Sequence, residues 1–382
     1  MQLPIYLDNH ATTPVDPQVL EAMLPYFTQY FGNPASTGHS YGWEASAAVE
    51  RSRELIAQII NCSAQEIIFT SGATEANNLA IKGVAEAYQH RGRHIITVAT
   101  EHSAVLDPCA YLASLGFSVT YLPVNGEGLL DVELLSASIQ PDTILVSVML
   151  ANNEIGVIQP ITEIAQVCHS RGVLLHCDAV QAVGKMPIDL QQTPIALLSF
   201  SAHKFYGPKG IGGLFVRRKN PRVSLAPQLH GGGHERGLRS GTLYPPQIVG
   251  MAEALQISWR NHQAENQRIQ ALRERLWQKI SSLDGIYLNG HPTLRLAGNL
   301  NISIAGVDGN ALHAGLRPLA AVSWGSACSS HHAQTSHVLK AIARCEELAR
   351  ASIRFGIGRF NTMEEIELVG DHLCQLVWEL RQ

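Results

Sequence analysis

Between about residues 50 and 220 the chain alternates short apolar runs with stretches of helical periodicity. The runs are Ile67–Thr70, His94–Val98, Ser118–Leu122, Thr143–Met149, Val173–Cys177, Leu197–Ser199 and Gly212–Val216. They are short and rich in β-branched residues, which predicts strands buried on both faces of a parallel sheet. Ala73–Tyr88 and Ile161–Arg171 lie between them and read as helices. This rhythm predicts an α/β unit with helices on both faces of the sheet. Beyond Pro245 the pattern changes. One or two long helices over Ile248–Leu283 are followed by a strand at Gly298–Ile304 and a Gly/Ser loop around Cys328. A helix over Thr335–Ala343, a strand at Ser352–Phe355 and a closing helix from Met363 complete a smaller α+β unit. No internal repeat or low-complexity linker marks the border between the two.

Composition narrows the class. Of the 382 residues 46% are hydrophobic and 16% charged, ordinary values for a globular chain. A net charge of -4 with no run of Lys or Arg excludes a nucleic-acid binder, which needs a clustered basic face. No apolar stretch is long enough for a spanning helix. The start, MQLPIYLDNHATTP, has neither the basic end nor the apolar core of a secretory signal. Seven cysteines are dispersed at 62, 109, 168, 177, 328, 345 and 374 without a CxxC pair. That usage predicts free thiols in a reducing, cytoplasmic setting, most of them buried as small hydrophobes.

Three segments carry candidate chemistry. Ile67–Thr70 runs into Ser71-Gly72-Ala73-Thr74, where a helix begins. A glycine turn at a helix N-terminus presents free N–H groups to an anion, although Ser71 and Thr74 acting only as caps fits that segment alone. It is not GxGxxG and gives no support to a nicotinamide enzyme. Asp178 ends the run Leu174–Cys177, at the strand edge where open α/β sheets bind ligands. There a carboxylate holds a pyridine nitrogen protonated or serves as a structural cap, and the segment leaves both open. Lys204 follows the strand Leu197–Ser199 in a glycine-rich turn, where partial desolvation and a neighbouring cation free an amine for Schiff-base chemistry.

The ordered segments SGATEANN, TEHSAVLD, ANNEIG, HCDAVQAVG and SAHKFYGPKGIG resemble the successive motifs of fold-type I pyridoxal-phosphate enzymes. Together with YLDNHATTP, FGNPAST, GGGHERGLRSGT, WGSACSS and SIRFGIGRF they resemble, nearly end to end, the NifS/IscS-like cysteine desulfurases of the class-V aminotransferase group. The resemblance implies a large domain over residues 16–250 with a mostly parallel seven-stranded sheet. An arm over 1–15 would join a small α+β C-terminal domain over 251–382 that carries the Cys328 loop. It implies pyridoxal 5'-phosphate linked to Lys204, with Asp178 on the ring nitrogen, Gln181 on the phenolic oxygen and His102 stacked on the ring as an acid–base group. Ala73, Thr74, Ser201 and His203 would hold the phosphate. Thr242 would reach the cofactor of a partner subunit in a homodimer. Asn153 and Arg354 would hold the carboxylate of L-cysteine, with Asn153 also beside the cofactor. Arg354 lies inside an apolar strand, which argues against a surface charge, and its planar fork suits a carboxylate. Cys328, in a small and polar loop, would attack the substrate sulfur, leaving a persulfide and alanine. The persulfide would pass to an iron–sulfur scaffold or another sulfur acceptor.

Some positions depart from the pattern. His331, His332 and His337 crowd the Cys328 loop, but their spacing fits no standard zinc site, so no metal is expected and the imidazoles are read as tuning the thiolate. Thr335 stands where a proline is expected before the helix. His230 and His234 flank three glycines, which rules out the helix an HExxH site needs and predicts a loop near the dimer interface. The chain stops at Trp378–Gln382, without the tail by which related enzymes dock an iron–sulfur scaffold. Competing functions are an aminotransferase or selenocysteine lyase on the same cofactor, and a non-catalytic sulfur-relay or cofactor-holding protein.

Overall fold

The structure, a computed structural model, describes residues 3–324 and 335–382. Cys328, His331 and His332 lie outside the described residues. After a short strand β1 (Ile5–Tyr6) come the seven strands of the main sheet: β2 (Ile67–Thr70), β3 (His94–Val98), β4 (Ser118–Leu122), β5 (Thr143–Met149), β6 (Leu174–Asp178), β7 (Leu197–Ser201) and β8 (Gly212–Val216). Their order is β2-β8-β7-β6-β5-β3-β4. Every pairing is parallel except those of β8, which is antiparallel to both β2 and β7. The expected mostly parallel sheet is therefore present. Strands β6 and β7 reach further at their carboxyl ends than the fifth and sixth runs, so Asp178 and Ser201 are the last residues of their strands.

Period-two alternation fills two cores from the same strands. Ile67 and Phe69 of β2, Val146 and Val148 of β5, and Leu198 and Phe200 of β7 face one core. Ile68, Leu145 and Leu197 face the other, where the helix Ala73–Tyr88 buries Ala76, Leu79 and Ala80. Both faces are covered, which is why these strands read as unbroken apolar runs. The turn back from β7 into β8 requires glycine. A Cβ on Gly212 would sit 2.6 Å from the Phe200 carbonyl oxygen and 2.8 Å from the Gly72 Cα.

A second sheet, in the order β12-β13-β10-β9, consists of β9 (Ile286–Leu288), β10 (Asn299–Ile304), β12 (Ser323–Trp324) and β13 (Ser352–Gly356). Strand β11 (Ala320–Ala321) pairs in parallel with β1. Ile5 and Leu7 pack in the same core as Leu300 and Ile353. A single helix, Pro245–Ile280, replaces the one or two expected. Its first half places Ile248, Met251 and Leu255 in the core of the large sheet, and its second half places Ile269, Leu272 and Leu276 in that of the small one. The helix expected over Thr335–Ala343 is shorter, His337–Ala341. Ser336 caps its start by accepting from the Leu339 N–H, and Ala343 leaves it at φ 60°. His230 and His234 lie in loop, as the glycines require. Among the described residues no helix is long and apolar enough to cross a membrane.

One buried ion pair fixes the GGGHERG segment to the sheet. Arg53 donates to both Glu235 oxygens, at 2.8 Å from Nη1 and 2.7 Å from Nη2, and its guanidinium lies 4.4 Å over the Phe69 ring. Glu235 also accepts from the Phe69 N–H at 2.7 Å. The pair holds Glu235 and Arg236 in left-handed backbone, φ 49° and 58°. Removing the cation leaves a buried carboxylate unpaired, so Arg53→Met loses about 3 kcal/mol in urea unfolding. The double change Arg53→Met with Glu235→Gln recovers part of that loss. An unmoved urea midpoint in the single variant contradicts this account.

Candidate active site

Strand register gathers the candidate residues. Thr70 at the end of β2 pairs with Gly212, Gly212 pairs with Ser201 at the end of β7, and Ser199 pairs with Asp178 of β6. The carboxyl ends of these strands therefore open on one edge, as ligand sites do in open α/β sheets. A cavity of about 590 Å³ lies there, lined by Ala73, Thr74, His102, Asn153, Asp178, Gln181, Ser201, His203, Lys204 and Arg354. All the site residues inferred from sequence meet in it except Thr242, which is exposed elsewhere, and Cys328, which lies outside the described residues.

The helix Ala73–Tyr88 starts at Gly72, whose φ is 152° and which supplies no side-chain cap. Ser71 and Thr74 are thus not simple caps. The Glu75 carboxylate accepts from the Ser71 N–H at 2.7 Å and pairs with Arg239 at 2.7 Å, leaving the helix end open to an anion. Next to it His203 faces the Thr12 hydroxyl at 3.1 Å. Burial, then the charges of Lys204, Lys209 and Lys185, pushes His203 down to about 4, so its imidazole is neutral at physiological pH.

Asp178 is held on both oxygens. Oδ1 accepts from the Val180 N–H at 3.0 Å and Oδ2 from the Asn77 amide at 2.7 Å. Behind it Glu101 is fully buried and accepts from the Met149 N–H at 2.6 Å. Burial and the Asp178 charge push the Glu101 carboxyl well above the usual carboxylate range. The same effects disfavour a second negative charge at Glu101 beside Asp178. The next residue, His102, begins the helix Ser103–Ser114, with Nδ1 accepting from the Ala104 N–H at 3.0 Å. That bond places the proton of the neutral ring on Nε2. His337 is not a free loop imidazole: its Nε2 donates to the Glu101 carbonyl at 2.9 Å, tying the helix that follows the Cys328 segment to the His102 turn.

The Lys204 amine donates to the carbonyls of His10 and Ala11, both at 2.7 Å. The Gln181 amide donates to the same His10 carbonyl at 2.9 Å, while its oxygen accepts from Lys185 at 3.0 Å. Arg354 is 6% exposed, which disposes of a surface role. It donates to Asp8 at 2.7 Å, to the Ser323 hydroxyl at 2.8 Å and to the Asn153 carbonyl at 2.8 Å. Sequence reasoning missed Asp8, His10, Asn77, Glu101, Lys185 and Ser323. Asp8 and His10 belong to the quoted YLDNHATTP segment and Glu101 to TEHSAVLD. Asn77 lies one turn into the helix opened by SGATEANN, whereas nothing in its neighbourhood singled out Lys185.

This set fits pyridoxal phosphate. It offers an open helix N-terminus for a phosphate, a doubly held carboxylate for a protonated ring nitrogen, an amine for the aldehyde, and an imidazole beside them. The cavity lies within the range of about 300–1,000 Å³ usual for such ligands. The comparisons agree. The family model for aminotransferase class V matches residues 5–369. The chain is 53% identical over 389 residues to a cysteine desulfurase IscS of Methylococcus capsulatus, covering all of this chain and 96% of that one. It is 52% identical over 384 residues to the IscS of a Shewanella species, covering 100% and 95%. Among solved structures, a NifS-like protein superimposes with a TM-score of 0.91 at 37% identity, over 99% of this chain and all of that one. SspA in complex with cysteine superimposes at 0.84 and 35% identity, over 94% and 100%. The chain belongs to the class-V aminotransferase family, among its pyridoxal-phosphate-dependent cysteine desulfurases.

Proposed function

We propose that this chain removes sulfur from L-cysteine, releasing L-alanine and leaving a persulfide on Cys328. The observation that carries this is the single cavity in which Lys204, Asp178, His102, Arg354 and an open helix N-terminus meet. The first turn from Ala73 and Thr74, with Ser201 and His203, takes the phosphate, and Asp178 takes the ring nitrogen. Bound there, pyridoxal phosphate supplies an electron sink for the substrate α-carbon. Arg354 holds the substrate carboxylate, with Asn153 beside it. Lys204 takes and returns the proton at the α-carbon. His102, whose Nε2 carries the proton in the neutral ring, supplies an acid–base group on the substrate side. Cys328 attacks the substrate sulfur as thiolate. The new S–S bond forms as the C–S bond breaks, the bonding pair stays with carbon, and that carbon is protonated to the methyl of alanine. Oxidation at sulfur is matched by reduction at carbon, so no outside oxidant is needed.

The persulfide then passes to an acceptor for iron–sulfur assembly or for other sulfur-containing cofactors and tRNA, in the cytoplasm. The chain works as a homodimer, with Thr242 reaching the partner's cofactor. Support comes from the exposed aromatics Phe27, Phe31, Tyr41 and Trp43 with Tyr244, a few residues from Thr242, since such patches mark interfaces. The division into 1–15, 16–250 and 251–382 is supported by Ile5 and Leu7 packing with the second core.

The test is stoichiometry. With L-cysteine and dithiothreitol, the cofactor-loaded protein yields one alanine per sulfide. Mercaptopyruvate without sulfide indicates the transaminase, turnover of selenocysteine alone indicates the lyase, and no turnover indicates the non-catalytic protein; each sinks this proposal.

A further inference from the structure

Lys185 stands seven residues beyond the end of β6, with its side chain aimed back at the site. Its amine donates to the Gln181 oxygen at 3.0 Å, the Gln181 amide donates to the His10 carbonyl at 2.9 Å, and Lys204 donates to that same carbonyl at 2.7 Å. The backbone around Lys185 is fixed from both sides. Gly184 has φ 79° and lies so close to Phe205 that a Cβ would come within 2.7 Å of it, and Asn266 donates to the Lys185 carbonyl at 2.6 Å. No carboxylate pairs with Lys185 among the described residues. We infer that Lys185 is a positioning residue for the Lys204 nitrogen: it orients the Gln181 amide and, as a neighbouring positive charge, opposes a positive charge on that nitrogen. This rests on the proposal that Lys204 carries the cofactor.

The orientation follows from donor chemistry. An ammonium offers only donors, so with His10 Nδ1, which meets the same atom at 3.1 Å, it holds the amide oxygen of Gln181 and turns the NH2 toward the His10 carbonyl and the cavity. The charge effect follows from proximity: the two amines line neighbouring cavities, and Lys185 feels the charge of Lys204 through poorly solvated protein. Burial, then Lys204 and Arg354, lowers the Lys185 amine to about 7. Like-charge repulsion acts equally on both partners, so Lys185 also disfavours the cationic form at Lys204. The other groups facing Lys185 are His10, which burial and the same cations hold neutral, and the residues Tyr206, Glu265, Arg295 and His262 across a cavity of about 230 Å³. Two carbonyls favour the cation at Lys204, and the Lys185 charge opposes them.

The experiment follows the visible absorption of the cofactor-loaded protein against pH. Lys185→Met raises the midpoint of the spectral change by about one pH unit, because a like charge is gone. Lys185→Gln, closer to lysine in polarity and offering a donor without charge, raises it equally and serves where methionine does not fold. Lys185→Arg, which keeps the charge, leaves it within a few tenths. An unmoved midpoint in the uncharged variants, or an equal rise in Lys185→Arg, overturns the inference. Borohydride trapping separates the two failures. Cofactor trapped on a residue other than Lys204 defeats the site assignment. Cofactor trapped on Lys204 with a midpoint indifferent to Lys185 defeats only the role of Lys185.

Discussion

Replacing Cys328 by alanine stops sulfur release from L-cysteine, with alanine formation falling roughly 10³-fold or more, because the proposed nucleophile of the covalent step is gone. Among the described residues no other thiol lines the cavity. Burial pushes Cys62, Cys109 and Cys168 up to about 12 and Cys177 well above the usual thiol range. A thiol at about 12 is thiolate in only about 10⁻⁴ of molecules at pH 8, and only the thiolate attacks. Cysteine binding survives, since the groups proposed to hold the amino acid are Arg354 and its neighbours. The Cys328→Ala protein therefore still changes its cofactor absorption when L-cysteine is added, while alanine and sulfide stay at background. In the unaltered protein, mass spectrometry after a single turnover finds one extra sulfur on the peptide carrying Cys328. Alanine released by the variant at the full rate overturns the persulfide mechanism.

How much of this was legible in the sequence depends on whether a residue's neighbours are local. The strands of the main sheet were legible because each is buried on both faces, so β-branched runs such as Thr143–Met149 stand out. Lys204 and Asp178 were legible as chemistry because they sit just beyond or at the end of such runs, where a solvated charge is out of place. The direction of β8 was not legible. Periodicity is blind to strand sense, and only the pairing of Gly212 with Ser201 and Thr70 reveals the reversal. Strands of two residues, such as Ala320–Ala321 and Ser323–Trp324, are too short to carry a period and exist because a partner strand is already there. The continuity of Pro245–Ile280 was ambiguous because its two halves bury their apolar faces in different cores. The supports of the site were hidden for the same reason. Asn77 and Asp178 are 101 positions apart, and Asp8 and Arg354 are 346 apart. A single sequence carries the residues but not those distances.

Lys204→Ala lowers alanine formation about 10³-fold, within the range measured for loss of a positioned acid–base group, and leaves the protein folded. Stability holds because the amine rests on two carbonyls at the edge of a cavity, one of which, that of His10, keeps its bond from Gln181. The change also removes a cation from beside Lys185 and Arg354, a repulsion the folded state no longer carries. Melting therefore moves little, while borohydride no longer fixes the cofactor to the chain. The vacated space admits a small amine, so millimolar methylamine restores part of the rate in proportion to its unprotonated fraction, and the same concentration of sodium chloride does not. Rescue that rises with pH in step with free amine places the missing function in the Lys204 nitrogen itself. A Lys204→Ala protein within tenfold of the original rate, or one whose cofactor is still fixed by borohydride, means that another residue holds the cofactor and moves the proton.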